Sequence, residues 1–129
     1  MIAGMRSRRK PTDAELAILR VLWTRGPSTV REVAGEMGRE SAYTTILKLM
    51  QIMTDKGLVK RDDSARTHVY KATSSEGEMQ RQLVTDLLDK VFDGSAATLV
   101  LRALDARKAS PEELAEIRKL LDARRGGRR

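Results

Sequence analysis

Cysteine is absent from all 129 residues, so the chain can form no disulfide, no thiolate metal site and no cysteine nucleophile. Such a composition suits a reducing cytoplasm, the expected location. Histidine is nearly as scarce. His68 stands alone, and one imidazole without a cysteine or paired carboxylate beside it cannot build a metal site. Between Thr67 and Val69 of a β-like run, it is expected to pack against neighbours. Long apolar stretches are missing too: runs such as Leu99-Val100-Leu101 end after a few residues, and Met1 to Lys10 lacks the apolar core of a signal peptide. No membrane partner is expected. Nor is there a Gly-rich phosphate loop, a nucleophile elbow or a metal-ligand cluster. The acid pairs Asp62-Asp63 and Glu112-Glu113 sit at a turn tip and a helix start, where local structure accounts for them. The chain is therefore expected to be neither an enzyme nor a cofactor carrier.

What is present is positive charge, placed unevenly. Of the net +7, residues 1–10 contribute Arg6, Arg8, Arg9 and Lys10 with no acid, and the last six residues contribute four arginines with no acid. Between these ends, residues 11–75 hold ten basic and eight acidic side chains, and residues 76–123 hold seven and ten. The amino-terminal half is the better polyanion binder, and the basic ends fit non-specific attraction to phosphate. A hydrophobic content of 40% makes the chain globular, with room for one small domain and an extension.

Thr12-Asp-Ala-Glu15 has the form of a capping box and opens a first helix marked by Leu16, Leu19, Leu22 and Trp23, ending before Gly26-Pro27. Thr29-Val-Arg-Glu32 opens a second helix, stopped near Gly38. Ser41 is the expected cap of a third helix running to Lys56, with Gly57 in the left-handed closing position. The runs Leu58–Arg61 and Thr67–Ala72 flank the turn formers Asp62-Asp-Ser-Ala-Arg66 and read as a β-hairpin. Three helices followed by a hairpin make a winged helix-turn-helix, so the fold class is mainly α with a small β-hairpin wing.

The third helix is the most informative element. At about 100° per residue, Tyr43, Ile46, Leu47, Leu49, Met50 and Met53 fall on one side, while Thr44, Lys48, Gln51 and Asp55 fall opposite. The first set reads as core. The second offers hydroxyls, an amide and a cation to base edges and phosphate in a major groove. Because the amino end of such a helix enters the groove, the candidate DNA-binding residues are Ser41, Tyr43, Thr44, Thr45, Lys48 and Gln51, joined by Arg66 on the wing, with Arg61 a weaker candidate.

Beyond Ser74 the composition shifts to helix formers and acid. Met79, Leu83, Leu87 and Val91 mark one helix, broken near Asp93-Gly94-Ser95. A second covers Ala96 to about Arg107, and Ser110-Pro-Glu-Glu113 starts a third. Their apolar surface is too broad to hide within so small a unit, so Leu83, Leu87, Val91, Leu99, Leu101, Leu104, Leu114, Ile117, Leu120 and Leu121 are expected to meet a second copy. The resulting organisation is a basic arm at 1–10, a winged-helix DNA-binding domain at 11–74, a helical dimerisation domain at 75–124 and a basic tail at 125–129.

The chain resembles the penicillinase-repressor family of BlaI, MecI and CopY type through Glu15, Leu22 and Trp23, Thr29-Val-Arg-Glu-Val33, Ala42-Tyr-Thr-Thr-Ile46, Lys56-Gly-Leu-Val59, Arg66 and Tyr70. The resemblance implies a homodimeric repressor that lays the helix carrying Tyr43, Thr44 and Lys48 into a palindromic double-stranded operator. Ile52 departs from the arginine of many relatives. Leu101-Arg-Ala-Leu104 replaces the Asn-Phe pair cut during induction, and the cysteines of copper-responsive members are missing. The alternative function is a winged-helix protein-interaction module without specific DNA binding.

Overall fold

The computed structural model describes residues 10–126, so the arm ahead of Lys10 and residues 127–129 of the basic tail lie outside the described residues. The chain divides into two compact units, one ending at Asp86 and the other beginning at Leu87.

In the first unit, helix α1 (Asp13–Arg25) starts on the expected capping box: Thr12 Oγ1 accepts the Glu15 N–H at 3.2 Å, and Glu15 Oε1 accepts the Thr12 N–H at 3.0 Å. Helix α2 (Val30–Glu36) repeats the device with Thr29 and Glu32, at 3.1 and 2.9 Å. The third helix begins differently from expectation. A 3₁₀ turn over Glu40–Ala42 holds Ser41, so α3 (Tyr43–Lys56) starts after it, with Ala42 at the cap position and no side-chain cap. Ser41 is wound into the preceding turn and cannot serve the helix amides. Gly57 closes α3 at φ 83°, a backbone conformation that costs glycine nothing and a β-carbon about 1 kcal/mol or more.

Strands β1 (Val59–Asp62) and β2 (Val69–Ala72) pair antiparallel, with Val59 opposite Ala72, Lys60 opposite Lys71, Arg61 opposite Tyr70 and Asp62 opposite Val69. The turn opens with Asp62 Oδ1 accepting the Ser64 N–H at 2.9 Å. A connection invisible in the hydropathy pattern seats this hairpin: Ser28 and Tyr70 exchange both backbone hydrogen bonds, at 2.9 and 2.8 Å. The loop after α1 thereby pairs with the free edge of β2 at one position. Ser28 and Tyr70 are fully buried there, the serine hydroxyl donating to the Gly26 carbonyl at 2.8 Å.

The core lies where the three helices and the hairpin converge. Ile18, Leu19 and Leu22 of α1, Val30, Val33 and Ala34 of α2, Ile46, Met50 and Met53 of α3, and Leu58, Val59 and Tyr70 of the wing form one buried cluster. Burying each large apolar side chain contributes about 1.5–3 kcal/mol, so the backs of α3 and the wing are held by the same contacts. Trp23 packs at the edge and donates its indole N–H to the Ser74 carbonyl at 2.9 Å, tying α1 to the segment after the wing. A third capping box, Ser75 with Glu78, opens α4 (Glu76–Lys90), whose Met79 is buried in the same cluster and whose Leu83 packs against it.

In the second unit, α4 ends before Asp93 and Gly94, both at positive φ (52° and 80°). Ser95 then caps α5 (Ala96–Ala106), accepting the Thr98 N–H at 3.0 Å, and Ser110 caps α6 (Pro111–Gly126), accepting the Glu113 N–H at 3.0 Å. Neither α5 nor α6 has a buried residue. Among the described residues no helix is long and apolar enough to cross a membrane.

Candidate nucleic-acid interface

Helix α3 is two-faced, and its inner face is fixed. Ile46, Met50 and Met53 are 2% exposed or less, spaced four and three residues apart so that they stack on one side. Leu47 and Leu49 are half-buried beside them. Thr44, Thr45, Lys48 and Gln51 are all exposed. The structure therefore brings these four onto one outward side of a single helix, with a core at its back. Ile52 is also exposed, adding an apolar group to that side.

Tyr43 departs from its expected place in the core. It is 38% exposed, and the Arg31 guanidinium of α2 stands over its ring, 5.4 Å from the centroid. As the first residue of α3 it precedes the packed layer that begins at Ile46, and the Arg31 cation lies over its ring. Its exposure puts it with Thr44 rather than with Ile46. Arg31 was legible in the sequence only as part of the second capping box, because a contact between helices has no periodic signature.

The two ends of α3 are treated differently. At the carboxyl end, Lys56 Nζ lies 2.6 Å from Glu15 Oε1, the same oxygen that caps α1, and Glu15 is 2% exposed. This ion pair ties the end of α3 to the start of α1. At the amino end no side chain caps the helix; the 3₁₀ turn runs straight into it, and the Tyr43 N–H donates to the Glu40 carbonyl.

On the wing, Arg61 and Arg66 behave differently. Arg61 grips Asp63 with two nitrogens, Nε to Oδ1 at 2.7 Å and a terminal nitrogen to Oδ2 at 3.1 Å. The Asp63 carboxylate, with help from the Tyr70 hydroxyl, holds the Arg61 guanidinium above its ordinary range. Arg66 is exposed and makes no ion pair among the described residues. His68 corrects another expectation: it lies just before β2 with its side chain 48% exposed, Nε2 3.6 Å from Asp63, and it packs against nothing in the core. The hairpin starts pairing at Val69, so the alternation of the strand never reaches position 68. Gln51 and Lys60 border an open groove between the carboxyl half of α3 and β1.

The family model described as the penicillinase repressor matches residues 11–123. The chain belongs to that family. Among curated relatives, the penicillinase repressor of Bacillus licheniformis is 25% identical over 113 residues, covering 86% of this chain and 88% of the relative. The transcriptional regulator BlaI of Mycobacterium tuberculosis is 32% identical over 92 residues, covering 69% and 67%. The methicillin resistance regulatory protein MecI of Mammaliicoccus sciuri is 22% identical over 113 residues, covering 86% and 92%. These relatives are regulators by name, and the penicillinase repressor family is one of transcriptional repressors, not enzymes. The matched span includes both α3 with its wing and the carboxyl-terminal helices.

The expected dimerisation residues fall into two groups. Leu83 packs against the core of the first unit, and Leu99 and Ile117 are half-buried. Leu87, Val91, Leu101, Leu104, Leu114, Leu120 and Leu121 are exposed, Val91 by 64% and Leu121 by 58%.

Proposed function

We propose that this protein is a cytoplasmic, homodimeric transcriptional repressor that binds a palindromic double-stranded operator through α3 and the wing. The observation that carries the reading is the pairing of an outward Thr44, Thr45, Lys48 and Gln51 face with a fully packed back on one helix. A helix so held can be pushed into a major groove without rearranging, and its short polar side chains leave room for base edges. The exposed Tyr43 at its amino end suits a neighbouring phosphate. Family membership supports the repressor role.

The second copy is argued from exposure. A single chain presents seven large apolar side chains of the expected set to water along the end of α4, α5 and α6. So much apolar surface is unusual on a monomer, and a two-fold partner would cover it while doubling the number of half-sites read.

Selection of genomic fragments by the purified 129-residue chain tests the reading directly. Enriched sites with two-fold symmetry, half-sites about one helical turn or a multiple apart, and binding that weakens steeply with added salt are expected. Sedimentation of the free protein should give twice the chain mass. Recovery of no preferred duplex, with a flat salt response, would overturn it in favour of a protein-interaction module.

A further inference from the structure

We infer that Lys60 and Lys71 form the wing's phosphate contact, and that Arg61 is withheld from DNA by Asp63. The inference rests on the DNA-binding reading above and names which wing side chains carry it.

The register puts Lys60 directly opposite Lys71. Side chains of an antiparallel pair alternate, so the pairs Val59 with Ala72 and Arg61 with Tyr70 share the face toward the core, where Val59 and Tyr70 are buried. Lys60 and Lys71 share the other face, and both are exposed. Two like charges directly across a ladder repel each other, and a hairpin free to choose would place an acid at one of the two positions. Here neither nearby acid forms an ion pair with the lysines: Asp62 accepts the Ser64 amide and only attracts Lys71 at a distance, and Asp63 holds Arg61. Neither lysine makes an ion pair among the described residues. Asp62 shares that face, but one carboxylate against two ammonium groups leaves the face net positive, which suits an anionic oxygen, and the duplex backbone supplies such oxygens in a row. Arg61 is the opposite case, since its planar fork is already filled by a carboxylate in the two-contact geometry that a phosphate would otherwise take.

The test is a salt titration of duplex binding by the full chain and its Lys60→Gln, Lys71→Gln and Arg61→Gln variants, with thermal melting of each free protein alongside. Each lysine substitution should remove about one unit of the log–log salt slope per bound wing, and the double variant about two. Melting temperatures of the lysine variants should stay level or rise, because a repulsion is relieved, and Arg61→Gln should keep the parent slope. A steep parent slope unchanged by either lysine substitution refutes the pair alone. A lysine variant that melts lower refutes it as well, since the residue would then be structural. Arg61→Gln losing as much slope as the lysines refutes the withholding. A flat parent response removes the DNA-binding reading and this inference with it.

Discussion

Replacing Glu15 should loosen the winged-helix unit more than any other single acidic substitution, because one oxygen of this side chain serves two elements. Glu15 Oε1 accepts the Thr12 N–H at 3.0 Å and Lys56 Nζ at 2.6 Å, with the glutamate side chain 3% exposed and that of the lysine 26% exposed. Removing one partner of a fully buried ion pair costs about 3–5 kcal/mol, and the quarter-exposed ammonium lowers that figure because water can solvate it. Adding about 0.5–1.5 kcal/mol for the lost capping bond puts Glu15→Ala at roughly 2–4 kcal/mol. Glu15→Gln keeps an oxygen for Thr12 and Lys56 but removes the charge, so it should cost about 1–2 kcal/mol. Urea unfolding followed by Trp23 fluorescence reads the right unit, since this is the single tryptophan and it packs against that core. With a urea slope of about 2 kcal/mol per molar for a small domain, the alanine variant should lower the midpoint by about 1–2 M at fixed protein concentration. A shift under about 0.3 M, or a glutamine variant as unstable as the alanine one, would refute the assignment of a shared buried carboxylate.

Lys48→Ala should weaken operator binding and Thr44 substitutions should alter base preference, each by about 1–3 kcal/mol if the contact is to a base, as read by footprinting against the parent. Footprints identical to the parent for both would remove α3 as the reader. Glu32 provides a pH prediction: its hydrogen bond from the Thr29 backbone, aided by Arg25, holds its carboxyl below the ordinary value of 4.5. The stability it contributes is present above about pH 4.5 and is lost as the pH falls through the lower native value. Glu32→Gln should therefore unfold with a shallower acid dependence than the parent; an unchanged acid limb would contradict it.

Much of the fold was legible because it is local. The boxes Thr12 with Glu15 and Thr29 with Glu32 are read from three-residue spacing, Gly57 from its place after a helical stripe, and the hairpin from turn formers between β-like runs. Ser75 with Glu78 carries the same spacing and marks the start of α4 equally well. The inner residues Ile46, Met50 and Met53 were legible for the same reason, since a helical period alone assigns them to one side.

Sequence by itself determined the order of elements, the family and the outward polar face of α3, because capping, periodicity and turn chemistry act over a few neighbouring residues. Tertiary structure alone decided which charges are spent. Glu15 meets Lys56 across 41 positions, Ser28 becomes a strand partner of Tyr70, Arg31 covers Tyr43, and Lys60 faces Lys71 only once the register is set. Each of these pairings joins segments distant in sequence or fixed by register, and such contacts depend on packing rather than on any pattern along the chain.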